Sequence, residues 1–152
     1  MSTPPEPYTQ VPRIGWVFGA LGLVPFAAGA IACWVADAAA RGLPQIGLLV
    51  YGGFILCFLG GGRWGLEIGG KPPRNDVIVG SMAGSIVSTV LIAATMIAPA
   101  PRLVILAVAH FAQWAWDVRS TDTPGWYSKL RHVLTAGAVL SLLAGSAASF
   151  HG

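Results

Sequence analysis

Charge is scarce in this chain of 152 residues: only 10% are Asp, Glu, Lys or Arg, against about a quarter in a soluble domain. A chain so poor in charge and 55% hydrophobic cannot cover a globular surface with solvated side chains, which excludes a water-soluble domain. Cysteine is also scarce. Cys33 and Cys57 stand in apolar runs without a C-x-x-C spacing, so they read as small buried hydrophobes, not as a redox pair or a disulfide frame. Ala30-Ile-Ala-Cys33 is only faintly like a lipoprotein cleavage box, because the apolar run continues past it to Ala36, longer than a signal core usually is. The net charge of +3 comes from basic residues scattered through short loops without interleaved aromatics, so nucleic acid is not an expected partner. Metal-ligand spacings such as Glu-x-x-His are missing, as are a glycine-rich phosphate loop ending in Lys-Ser/Thr and a nucleophile-base order. The residues therefore require no cofactor and name no catalytic group.

What is present is a series of apolar runs, each near the ~20 residues that cross a hydrocarbon core of about 30 Å. They predict an all-α polytopic membrane protein, a bundle of five transmembrane helices with short loops. The spans are read at about 14–36, 45–67, 77–98, 103–116 and 130–150, within one domain over 13–152. The proline-rich head, Met1–Pro12, has no apolar surface to bury and is expected to be a flexible arm. Trp16 and Trp34 mark the two interfaces of the first span: at about 1.5 Å per residue they stand roughly 27 Å apart. Pro25 should kink that span. Gly15, Gly19 and Gly22 thin one of its faces. Pro99 and Pro101 are read as closing the third span.

Five spans put the termini on opposite sides. Arg13, Lys71, Arg74, Arg119, Lys129 and Arg131 would share one side, leaving Arg41 and Arg102 on the other. By the positive-inside rule the amino terminus is cytoplasmic and the carboxy terminus periplasmic.

Two kinds of residue inside the spans invite a role. The first is polar. Arg63 lies at or just inside the end of span two, where an ionisable group normally finds a partner or the headgroups. Glu67 at i+4, Asp117 across the bundle, a lipid phosphate or a ligand oxygen could each serve. His110, Gln113 and Asp117 fall at i, i+3 and i+7 of span four and share one face, which should point to protein or water. With Trp64 these residues form the candidate ligand set. The second kind is small: Gly61 and Gly65 of span two, Gly80 and Gly84 of span three, and Gly137, Ser141 and Gly145 of span five recur every four residues, the spacing of close helix packing. Trp126, Tyr127, Lys129 and Arg131 read as an interfacial anchor before span five.

Tyr51-Gly52, Phe58-Leu-Gly-Gly61 and Arg63-Trp-Gly65, followed by Pro124-x-Trp126-Tyr127-x-x-Leu130-Arg131-x-x-Leu134-Thr135, resemble the transmembrane protein 69 family, also called domain of unknown function 3429. Leu21-Gly-Leu-Val-Pro25-Phe26 of the first span fits as well. The resemblance implies a small polytopic protein of bacterial inner membranes, with relatives in mitochondrial inner membranes, and brings no activity with it. Cys57 and Glu67 depart from the small or apolar residues it leads one to expect at those positions, so it lends them no role.

Two functions follow as expectations. The small-residue rows suggest a non-catalytic accessory or assembly subunit that docks, among membrane lipid, onto a larger respiratory or photosynthetic complex. Alternatively, Arg63, Trp64 and the His110 stripe would hold the polar head of a quinone or lipid.

Overall fold

In the computed structural model the described residues are 10–69, 72–120, 123 and 125–151. Most of the expected flexible arm, together with Lys71 and Pro124, lies outside them. The helices are α1 (Arg13–Val35), α2 (Gly42–Ile68), α3 (Asn75–Ser81), α4 (Ala83–Ala93), α5 (Pro99–Arg119) and α6 (Gly125–Ala147), with a 3-10 turn at Ala148–Phe150. No strand forms among the described residues. α3 and α4 follow one another across Met82 as a single span, so the molecule is a five-span helical membrane bundle. Four spans are long and apolar enough to cross a membrane: α1, α2, Asn75–Ala93 and Gly125–Phe150. The fifth, α5, carries Arg102, His110, Gln113, Asp117 and Arg119 and holds its place because most of these polar side chains turn inward, where protein replaces lipid.

The helix ends differ from the sequence reading for local reasons. Pro99 and Pro101 open α5 instead of closing the span before it, since proline in a first turn sacrifices no intrahelical hydrogen bond. Gly42 and Pro44 likewise belong to the first turn of α2. The third span breaks at Met82, where Ser81 Oγ bends back to donate to the Ile78 carbonyl at 2.7 Å and so competes with the helical ladder. That span ends at Ala93, short of the expected 98, and the buried Arg102 closes it. Arg102 Nη1 donates to the Leu91 carbonyl at 3.0 Å, satisfying an end carbonyl that lipid could not. Arg41 does the same for α1 through the Cys33 carbonyl at 3.2 Å. The fifth span starts at Gly125, earlier than expected, with Trp126, Tyr127, Lys129 and Arg131 inside the helix.

α2 touches every other helix, and its small residues make that possible. A Cβ on Gly60 would sit 2.3 Å from the Ser81 carbonyl oxygen, one on Gly52 2.9 Å from Leu106, and one on Gly53 3.3 Å from Ser88. The facing glycines answer these: Gly84 lies against the Leu56 backbone and Gly145 against Leu48. Between these contacts sits the apolar core of Phe26, Leu48, Leu49, Leu56, Leu103, Leu106 and Leu142. At the end of the bundle holding Arg41, Gln45 Nε2 donates to the Gly145 carbonyl at 2.9 Å and to Ser149 Oγ at 2.8 Å. At the other end the polar side chains gather.

Candidate functional site

The last two turns of α5 bring Gln113 and Asp117 against the end of α2 and the start of α6. Asp117 is 1% exposed and faces two guanidinium groups. Arg63 Nε lies 3.3 Å from Oδ1, and Arg131 Nε lies 3.0 Å from Oδ2. Gln113 Nε2 donates to Oδ1 at 3.2 Å. Arg63 is held on further sides: Nη1 donates to Ser120 Oγ at 2.8 Å, and the guanidinium lies 4.6 Å from the centre of the Trp116 ring. Glu67 is not its partner. That carboxylate is taken by Arg74, whose Nη2 contacts Oε2 at 2.8 Å and whose Nε and backbone N–H reach Oε1.

Arg131 is less well satisfied. It is 4% exposed, and its Nη2 is buried without a hydrogen-bond partner, as is the hydroxyl of Thr135 one turn further along α6. Both residues line a cavity of about 350 Å³ between α1, α2 and α6, within the ~300–1,000 Å³ range of small-molecule sites. α1 contributes Gly15, Gly19 and Gly22, and α2 contributes Ile55, Phe58 and Leu59. Phe18 and Phe58, both largely exposed, flank its opening between α1 and α2. His110 forms part of the wall. Its Nε2 lies 3.0 Å from the Gly52 carbonyl, which can only accept, so the proton sits on that nitrogen. Tyr127 lines the same end as Arg131.

The candidate set from the sequence is thus divided. Arg63, Gln113 and Asp117 form one buried cluster, and His110 reaches the cavity instead. Trp64 is partly exposed and joins neither; the tryptophan over Arg63 is Trp116. Arg63 also borders a separate, more polar cleft of about 280 Å³ with Arg74, Asp76 and Arg119. Of the small residues, Gly80 lies against Trp116, Gly84 against Leu56, Gly137 against Leu23 and Gly145 against Leu48. Ser141 Oγ donates to the Gly137 carbonyl within its own helix. A Cβ on Gly61 or Gly65 would meet nothing within 4 Å.

Arg131, Thr135 and Tyr127 were not in that set. Beside Trp126 and Lys129, Arg131 and Tyr127 have the composition of an interfacial anchor. Their spacing is the signal in the sequence: Tyr127, Arg131, Thr135, Ala138 and Leu142 follow at four, four, three and four residues, a single helical face that runs into the core. Among the described residues no cluster of His, Cys, Asp and Glu gathers to hold a metal.

Fold and site together define a small polytopic membrane protein with a buried arginine–aspartate–arginine cluster beside an apolar cavity. Residues 11–147 match the family described as "Protein of unknown function (DUF3429)", and the chain belongs to that family. No curated protein and no solved structure matches the chain.

Proposed function

We propose that the protein binds or carries an apolar membrane ligand with a polar, oxygen-bearing head, a lipid or a quinone. One observation supports this reading: Arg131 and Thr135, each with a buried polar atom that lacks a partner, line a cavity otherwise walled mainly by aliphatic and aromatic side chains. A polar group left unpaired in such surroundings costs about 1–3 kcal/mol, more when charged, and a ligand head carrying acceptor oxygens removes that cost. The head group therefore belongs at Arg131, and Arg63 serves to hold Asp117. The same reading puts the protein in a bacterial inner membrane with its amino terminus cytoplasmic and its carboxy terminus periplasmic, because the side with most of the basic residues is retained in the cytoplasm. The narrower likeness to the transmembrane protein 69 family is part of this proposal.

A second reading keeps the accessory or assembly subunit of a larger respiratory or photosynthetic complex. It is supported by one face of α2, where Gly61, Gly62 and Gly65 are open and Phe54 and Phe58 are exposed. The rows at Gly84, Gly137 and Gly145 no longer support it, since contacts within the chain occupy them.

Mass spectrometry of the protein extracted mildly from its own membrane separates the two. Binding predicts a chain carrying a defined lipid or quinone in stoichiometric amount, and a chain that retains no small molecule would defeat it. The second reading requires a stoichiometric protein complex that Gly65→Leu disperses.

A further inference from the structure

We propose that the cavity takes an anionic single-chain amphiphile, whose carboxylate or phosphate oxygens accept from the side chains of Arg131 and Thr135 while its tail lies between α1 and α2 beside Gly22, Ile55 and Phe58. This rests on the binding reading above and narrows it to one class of head group.

Charge balance carries the proposal. The buried cluster holds one carboxylate, Asp117, against the guanidinium groups of Arg63 and Arg131, and so keeps a surplus positive charge away from water. No other carboxylate among the described residues balances it. Glu67 is engaged by Arg74, Asp37 accepts from the Ala40 N–H beyond the opposite end of α1, and Asp76 borders the separate cleft. Arg63 Nη1 donates to Ser120 and the guanidinium face lies on Trp116, whereas Arg131 Nη2 has no partner, which assigns the surplus to Arg131, a residue of the cavity lining.

A neutral quinone carbonyl would accept one hydrogen bond there and leave the charge uncompensated in a medium of low dielectric. A carboxylate or phosphate neutralises it and presents two oxygens to a planar donor fork. His110 does not compete for the head, since its Nε2 proton is committed to Gly52. The apolar remainder of the cavity suits a hydrocarbon tail, and about 350 Å³ lies near the lower end for small-molecule sites, which favours one chain over two. Phe18 and Phe58 of the lining are largely exposed, so that tail can continue past them toward lipid.

The test uses the full chain in nanodiscs of neutral phosphatidylcholine, with binding of dodecanoate, dodecyl phosphate, dodecanol and a decyl-substituted benzoquinone measured by equilibrium dialysis. The anions should bind at least about tenfold more tightly than dodecanol, the ratio that one charge-assisted hydrogen bond supplies. Arg131→Met should abolish that preference without abolishing dodecanol binding. Thr135→Val, close to isosteric, should weaken the anions severalfold and the alcohol little. Tighter binding of either anion supports the proposal and identifies the head as carboxylate or phosphate. Equal binding of neutral and anionic probes, or a preference that survives in Arg131→Met, overturns it while the broader binding reading stands. Failure of all four probes overturns both.

Discussion

At Asp117 two guanidinium groups share one carboxylate, and all three residues are at most 4% exposed, so the members of the cluster differ in what their removal leaves behind. Asp117→Asn leaves two buried like charges facing each other with no counter-ion. It is expected to cost about 3–5 kcal/mol, the range for breaking a buried ion pair by removing one partner. Arg131→Met leaves Arg63 and Asp117 as a balanced pair and removes Nη2, a buried donor without a partner, along with the contact of Nε to Asp117 Oδ2. Its cost should be near the ~1 kcal/mol of an ordinary substitution. Arg63→Met should fall between them, since it also gives up Ser120 and the Trp116 ring. Reversible unfolding in mixed detergent micelles would rank the three. Equal losses for Arg131→Met and Asp117→Asn would show that the surplus charge is not where the geometry puts it.

At the level of elements, glycines that look alike in sequence do different work. Gly60 and Gly65 stand in the same stretch of α2, but a Cβ on Gly60 would lie 2.3 Å from a backbone oxygen of α3 and one on Gly65 would meet nothing within 4 Å. Gly60→Ala must push α3 away and is expected to cost about 1–3 kcal/mol. Gly65→Ala should be neutral or gain up to about 1 kcal/mol by helix propensity alone. The same unfolding measurement decides both, and a destabilised Gly65→Ala would mean that this face is already packed. α1 offers a matching test of the cavity. A Cβ on Gly22 would meet only the Tyr51 hydroxyl, at 4.0 Å, so Gly22→Leu should fill the space with little loss of stability. Retention of the proposed ligand should then fall, as measured by mass spectrometry of the extracted protein. Tyr51 also bears on Pro25. Its hydroxyl donates to the Gly22 carbonyl at 2.8 Å, in the turn where proline removes a ladder donor, and α1 continues as one helix through that position.

For the whole molecule, the cluster, the cavity's polar end and the ends of α2 and α5 lie together at the end holding most of the basic residues, the side expected to be cytoplasmic. Orientation therefore decides which leaflet would deliver the head of the proposed ligand. In a background without Cys33 and Cys57, Ala39→Cys should react with a membrane-impermeant thiol reagent added outside intact cells. Asn75→Cys should react only after permeabilisation. The reverse pattern would place the site at the outer leaflet.

Composition and periodicity alone determined the class: long apolar runs with so little charge have no stable arrangement in water, and in lipid the helix satisfies their backbone groups. They also put His110, Gln113 and Asp117 on one inward face, because helical spacing is local geometry. Partner choice was decided only by the tertiary structure. Arg63 had Glu67 within reach along its own helix, but the approach of α5 supplied Asp117, and Glu67 went to Arg74. The small-residue rows were equally ambiguous, since a glycine thins a face without saying what packs there. Arg131 and Thr135 line a cavity because α1, α2 and α6 leave a partly open space beside them. Such a volume depends on three elements, one of them far from the other two in the chain, and no spacing within one helix encodes it.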